Sequence, residues 1–122
     1  MIRVFIANDH PLVLQTMIDI LERESDIEIV GTATDGIDVV SRALELNADV
    51  VIIDSEMPHC PGQQAAQLLK KQNAAVKVIS LGISTTEPDV LPVGEDGVDM
   101  FFRHSISVPE IIDAVHELAA RR

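Results

Sequence analysis

The chain has 122 residues, 47% of them apolar, and carries 20 acidic against 9 basic side chains, a formal charge of −11. The apolar share excludes a disordered acidic tail, the length suits one domain with its own core, and so acidic a chain is a poor ligand for nucleic-acid phosphates. With Cys60 as the lone cysteine no disulfide framework forms and a cytoplasmic setting is expected; no apolar run reaches the ~18 residues of a membrane span and no apolar leader opens the chain, so no membrane contact is expected.

Ile2-Arg3-Val4-Phe5-Ile6-Ala7 is a β-branched and aromatic run that reads as the first strand, stopped by Asn8-Asp9-His10-Pro11. From Pro11 the rhythm turns helical, with Leu14, Met17, Ile18 and Leu21 at i, i+3, i+4 and i+7. Proline suits that first helical position, where its missing N–H has no partner. Ile27-Glu28-Ile29-Val30 reads as a second strand and Gly31 and Gly36 as turn residues, before a helical face of Ile37, Val40 and Leu44. Residues 49–54 hold four consecutive aliphatics, which predicts a strand buried on both sides, as in a parallel sheet covered by helices. Pro61 then opens a helix carrying Ala65, Leu68 and Leu69, and residues 76–81 form a fourth strand. Met100-Phe101-Phe102 marks a fifth strand, and Val108, Ile111, Ile112, Val115 and Ala119 a last helical stripe. This β-then-α alternation is the mark of an open α/β sheet.

One crossover breaks the rhythm. Between residues 84 and 98 stand Pro88, Pro92, Gly94 and Gly97. Pro92 inside a helix lacks its i→i−4 bond and clashes with the carbonyl at Pro88, a penalty of ~3 kcal/mol. The fourth crossover helix is therefore expected to be short, broken or absent. Residues 1–120 read as one domain, and Arg121-Arg122 as the start of a linker to a further domain.

In open α/β sheets ligands gather beyond the carboxyl ends of the strands, where strand order reverses. The first strand ends in Asn8-Asp9, the third in Asp54, the fourth in Gly82 and the fifth in Arg103-His104. If the first and third strands are neighbours, Asp9 and Asp54 face each other, and two carboxylates that close call for a proton or a cation between them. Such a cluster suits a hard divalent ion, of which Mg²⁺ is the commonest candidate. The plainer alternative is that both acids cap the helices that follow. Asp9, close to Pro11, fits that role well; Asp54 fits it less, since Pro58 and Pro61 push the next helix start several residues away. Both readings stay open on position alone.

The runs 2–11 (Ile-Arg-Val-Phe-Ile-Ala-Asn-Asp-His-Pro) and 49–58 (Asp-Val-Val-Ile-Ile-Asp-Ser-Glu-Met-Pro) resemble those of response regulator receiver domains. Residues 76–81 and the Pro109-Glu110 helix opening add to the likeness, which covers essentially the whole chain and is greatest to receivers attached to LuxR/FixJ-type DNA-binding domains. It implies a flavodoxin-like fold, a five-stranded parallel sheet of order 2-1-3-4-5 with helices on both faces. It also implies that Asp54 accepts a phosphoryl group from a sensor histidine kinase, a carboxylate nucleophile forming an acyl phosphate. Asp9 and Asp54 then hold Mg²⁺ together with the backbone carbonyl of Glu56, and Asn8 reaches the ion through a water. The implied partners are that kinase, a second copy of the chain as a homodimer, and DNA only through a C-terminal helix-turn-helix domain.

Three positions depart from the family pattern. The acidic pair after the first strand is Asn8-Asp9, with one acid missing; the Thr or Ser ending the fourth strand is Gly82; the lysine ending the fifth is His104. Phe101 keeps the aromatic ring of the family's switch position but loses the hydroxyl partner to which its motion is coupled. The lost acid and lost lysine offset each other in formal charge, so divalent binding is expected to survive. Readout is expected to be blunted, because a ligand shifts an equilibrium only through contacts that differ between the two states. The alternative is a phosphorylation-independent receiver that dimerises or binds a small ligand.

Other candidates carry less. His59 and Cys60 match no ordinary metal spacing, His10 reads as a loop residue near a helix start, and His116 as a surface residue of the last helix. With no Gly-x-Gly-x-x-Gly run and no Walker motif, no enzyme activity is expected.

Overall fold

The computed structural model describes residues 1–54, 62–82, 98–103 and 107–121. Strands β1 (Ile2–Ala7), β2 (Ile27–Ala33), β3 (Val50–Asp54), β4 (Lys77–Gly82) and β5 (Met100–Arg103) form one parallel sheet of order β2-β1-β3-β4-β5. Helices α1 (Pro11–Leu21) and α4 (Val108–Ala120) cover one face; α2 (Gly36–Glu45) and α3 (Gly62–Gln72) cover the other. Strand alternation assigns the faces. Val4, Ile6, Val50, Ile52 and Ile79 pack under α1 and α4, whereas Phe5, Ala7, Val51, Ile53 and Val78 pack under α2 and α3. All five residues of β3 are buried, as a central parallel strand requires.

The helix starts follow local chemistry. α1 opens with proline in its first turn, and the Ser107 hydroxyl caps α4 by accepting the Glu110 N–H at 3.4 Å. Some sequence expectations change. In α3 the inward residues are Ala65, Ala66 and Leu69, while Leu68 is 41% exposed, because it falls to one side of the stripe those three define. Gly31 is a strand residue rather than a turn. The β1–β2 register slips so that Val4 faces Ile29 but Phe5 faces Gly31. A Cβ on Gly31 would lie 2.6 Å from Leu46 Cδ1 and 3.0 Å from the Phe5 ring, so the absent side chain lets β2 close over Phe5. Gly36 opens α2. The proline-broken crossover over residues 84–97 lies outside the described residues.

Because the strands are parallel, the sheet has two unlike edges. The amino-terminal edge is laced with polar ties. Asp49 accepts the Arg3 N–H at 2.9 Å, and the Arg3 guanidinium donates to the Leu46 carbonyl at 2.7 Å. Lys70 sits 2.7 Å from Asp99, whose carboxylate also accepts the Val78 N–H at 2.7 Å, joining α3 to the entrances of β4 and β5. His116 on α4 is half-buried and pairs with Asp26 just before β2. That hydrogen bond holds the Asp26 carboxyl below the usual aspartate range. No helix among the described residues is long and apolar enough to cross a membrane.

Candidate functional site at the carboxyl edge of the sheet

β1 turns to β2 on one side and β3 on the other, so the reversal of strand order falls between β1 and β3. Their pairing ends at Ala7 opposite Ile53, which brings Asn8 and Asp54 next, side by side at the mouth of the sheet. Both are buried, at 2% and 1% exposure, whereas the Asp9 side chain is partly open to solvent. Burial of Asp54 follows from its place on the innermost strand.

Asn8 shapes the turn. Its side-chain oxygen accepts the His10 N–H at 2.8 Å, and its own N–H donates to the Ala33 carbonyl at 3.0 Å. This closed turn swings Asp9 and His10 back over the strand ends. One ligand atom each from Asp9, His10 and Asp54 lies within 4.8 Å of the other two, with the His10 ring 3.6 Å from the Asp9 carboxylate. The two acids therefore meet as expected, Asp54 as the last residue of β3 and Asp9 on the turn after β1. The residue at the α1 cap position is His10, and its side chain makes no capping bond, so capping does not account for Asp9.

His10 is the residue that reading the sequence passed over. The signal lay in the run Asn8-Asp9-His10-Pro11: an asparagine able to close an Asx turn, followed by two ligand-type side chains that the turn must bring together. Gly82 ends β4, one residue beyond Leu81, which pairs with Asp54, and it faces Arg103 of β5. Phe101 lies in β5 opposite Ser80. Glu56, His59, Cys60 and His104 lie outside the described residues.

Beside the acids opens a cavity of about 450 Å³, walled by Leu12, Val13, Met17, Leu81, Val108 and Ile111. Leu12 is 84% exposed on the first turn of α1. The donor set fits a hard divalent ion: two carboxylate oxygens, one from the end of β3 and one from the turn after β1, with Asp9 still open to solvent. His10 is the softer third donor.

The order β2-β1-β3-β4-β5, with ligand-type side chains gathered at the reversal point, marks a flavodoxin-like α/β module. The chain belongs to the response regulator receiver domain family, whose pattern it matches over residues 4–116. It is 33% identical over 115 residues to the transcriptional regulatory protein LiaR of Bacillus subtilis (strain 168), covering 94% of this chain and 54% of LiaR. The receiver domain of the response regulator NarL from Mycobacterium tuberculosis superposes with a TM-score of 0.89 at 26% identity, covering 99% of this chain and 98% of that one. A LuxR-family DNA-binding response regulator from Staphylococcus aureus shares the fold at a TM-score of 0.83 and 23% identity, covering 98% and 99%. The chain spans about half the length of the curated relatives it matches.

Proposed function

We propose that this chain is the phosphoacceptor receiver of a LuxR-type transcriptional regulator, with Asp54 as the acceptor. The observation that carries the reading is the convergence of Asp9, His10 and Asp54 at the β1/β3 reversal. An Asp54 carboxylate oxygen attacks the phosphorus of a donor, such as the phosphohistidine of a sensor kinase. The P–N bond breaks as the acyl phosphate P–O bond forms, and the donor imidazole leaves with the electron pair. Asp9 and Asp54, with the Glu56 carbonyl and an Asn8-held water, are the residues that would hold Mg²⁺. Bound there, Mg²⁺ would neutralise charge on the transferring group. Exposed Leu12 and Val13 beside the acids offer a protein donor an apolar foothold. The chain itself is a regulatory module without turnover of its own, is expected in the cytoplasm, dimerises as part of its switching, and reaches DNA through a helix-turn-helix domain of the longer protein.

A second reading rests on Gly82. Gly82, which ends β4 next to Asp54, carries no hydroxyl to follow the phosphoryl oxygens, so occupancy of Asp54 has one contact fewer through which to shift the fold. In that case the module acts through dimerisation or a small ligand. Incubation with a small-molecule phosphodonor and Mg²⁺, followed by intact mass measurement, tests the first reading. One added phosphoryl group in the wild type and none in Asp54→Asn supports it; no uptake by the wild type refutes it. Dimerisation and regulation unchanged in Asp54→Asn would favour the second.

A further inference from the structure

A second group of ligand-type side chains meets at the opposite edge of the sheet. Glu24 and Asp26 lie on the turn between α1 and β2, and His116 on α4; one ligand atom of each lies within 4.8 Å of the other two. His116 Nε2 stands 3.1 Å from one Asp26 oxygen and 3.0 Å from the other. That contact satisfies Asp26 but leaves a second carboxylate beside the same imidazole, and Glu24 has no ion-pair partner among the described residues. The donors are one nitrogen and two carboxylates.

We propose that Glu24, Asp26 and His116 form a binding site for a divalent transition metal of the Zn²⁺ type, separate from the acids of the mouth. Imidazole with two carboxylates suits Zn²⁺ and its neighbours, whereas Mg²⁺ prefers oxygen donors and retained water. Two carboxylates and a neutral imidazole balance the ion's double charge. Donors at ~2.1 Å from a tetrahedral ion stand roughly 3.4 Å apart, so the ion enters by small side-chain shifts, with water completing its shell. Both sides of the site are held in place beforehand. The Glu24 N–H donates to the Leu21 carbonyl at 3.0 Å, the Ile2 N–H donates to the Asp26 carbonyl at 2.7 Å, and α4 is anchored by buried Val115 and Leu118. An ion bound here clips α4 to the α1–β2 turn.

The test is a Zn²⁺ titration of the whole chain, followed by NMR of the His116 ring, in wild type, Asp54→Asn and Glu24→Gln. Glu24→Gln keeps the His116–Asp26 pair and therefore separates a metal site from an ion pair; its far-UV circular dichroism checks that it folds. The expected result is a saturable one-to-one shift at His116, retained in Asp54→Asn, undisturbed by a tenfold excess of Mg²⁺, and at least tenfold weaker in Glu24→Gln. Three results would overturn the proposal: shifts at His10 but not at His116, a His116 response that never saturates, or Glu24→Gln binding Zn²⁺ as the wild type does.

Discussion

The two edges of the sheet treat their acids in opposite ways. At the amino-terminal edge Asp49, Asp99 and Asp26 each sit against a donor or cation supplied by another part of the chain. At the carboxyl edge Asp9 and Asp54 are brought within 4.8 Å of each other, one of them buried. At an effective dielectric of about 20, two such charges repel by about 3 kcal/mol before any neighbour offsets them. At the first edge the ties of Asp49 and Asp99 hold strands and helices together. At the second, Asp9, His10 and Asp54 gather where a cation, or a phosphoryl group that needs one, would bind.

The sharpest way to break this comparison is to remove one acid from each edge. Asp54→Asn abolishes phosphoryl uptake from a small-molecule donor, an all-or-none effect in intact mass, without lowering the urea midpoint. At the other edge, Lys70→Met strips Asp99 of its cation, leaves the Val78 N–H on that carboxylate, and removes the Lys70 bond to the Val76 carbonyl. The expected loss is about 2 kcal/mol of stability, read by urea unfolding, with phosphoryl uptake unchanged. If Lys70→Met impaired uptake, or Asp54→Asn destabilised the chain by as much, the division of labour between the edges would be wrong.

A smaller effect sharpens the same contrast. A ligand that binds the folded state stabilises it by mass action, about 1.4 kcal/mol at ten times its Kd. Mg²⁺ is therefore expected to raise the thermal midpoint of the wild type and to do so far less for Asp9→Asn. Equal responses in both would remove Asp9 from the ion's coordination.

The distance between what could be read in advance and what could not follows the same edges. β3 was legible because four consecutive aliphatics admit only burial on both sides, and Asp54 at its end inherits its position from that. α1 was legible from Leu14, Met17 and Leu21, all of them buried. Gly31 was misread because a glycine in a turn and a glycine beneath a neighbour's side chain look alike in one dimension; only the approach of Leu46 and Phe5 separates them. The α3 run of Ala65, Leu68 and Leu69 does not say by itself which of its leucines meets the sheet; the packing puts Leu69 inward and leaves Leu68 exposed. His10, read as a loop residue, and His116, read as a surface residue, hide their surroundings for a common reason. Their partners are set by a turn closing in one case and by α4 crossing to a residue 90 positions earlier in the other.

The smallest effect concerns the tie between His116 and Asp26. The hydrogen bond from His116 lowers the Asp26 carboxyl below its ordinary value, so in the folded chain Asp26 gives up its proton more readily than in the unfolded one. The unfolded chain therefore binds the extra proton as pH drops. The tie's contribution is fully present above the ordinary aspartate range, near pH 4, and is lost as pH falls through the lower folded value. Asp26 is solvent-exposed, so screening keeps the contribution small. The measurement is the difference in urea midpoint between wild type and Asp26→Asn from pH 6 to pH 3, with a chelator present so that no metal adds to it. The difference is expected to hold steady down to about pH 4 and to close below it. A gap that widened with acid would mean that protonated Asp26 is the better partner, and that α4 is held to the α1–β2 turn by something other than this charge.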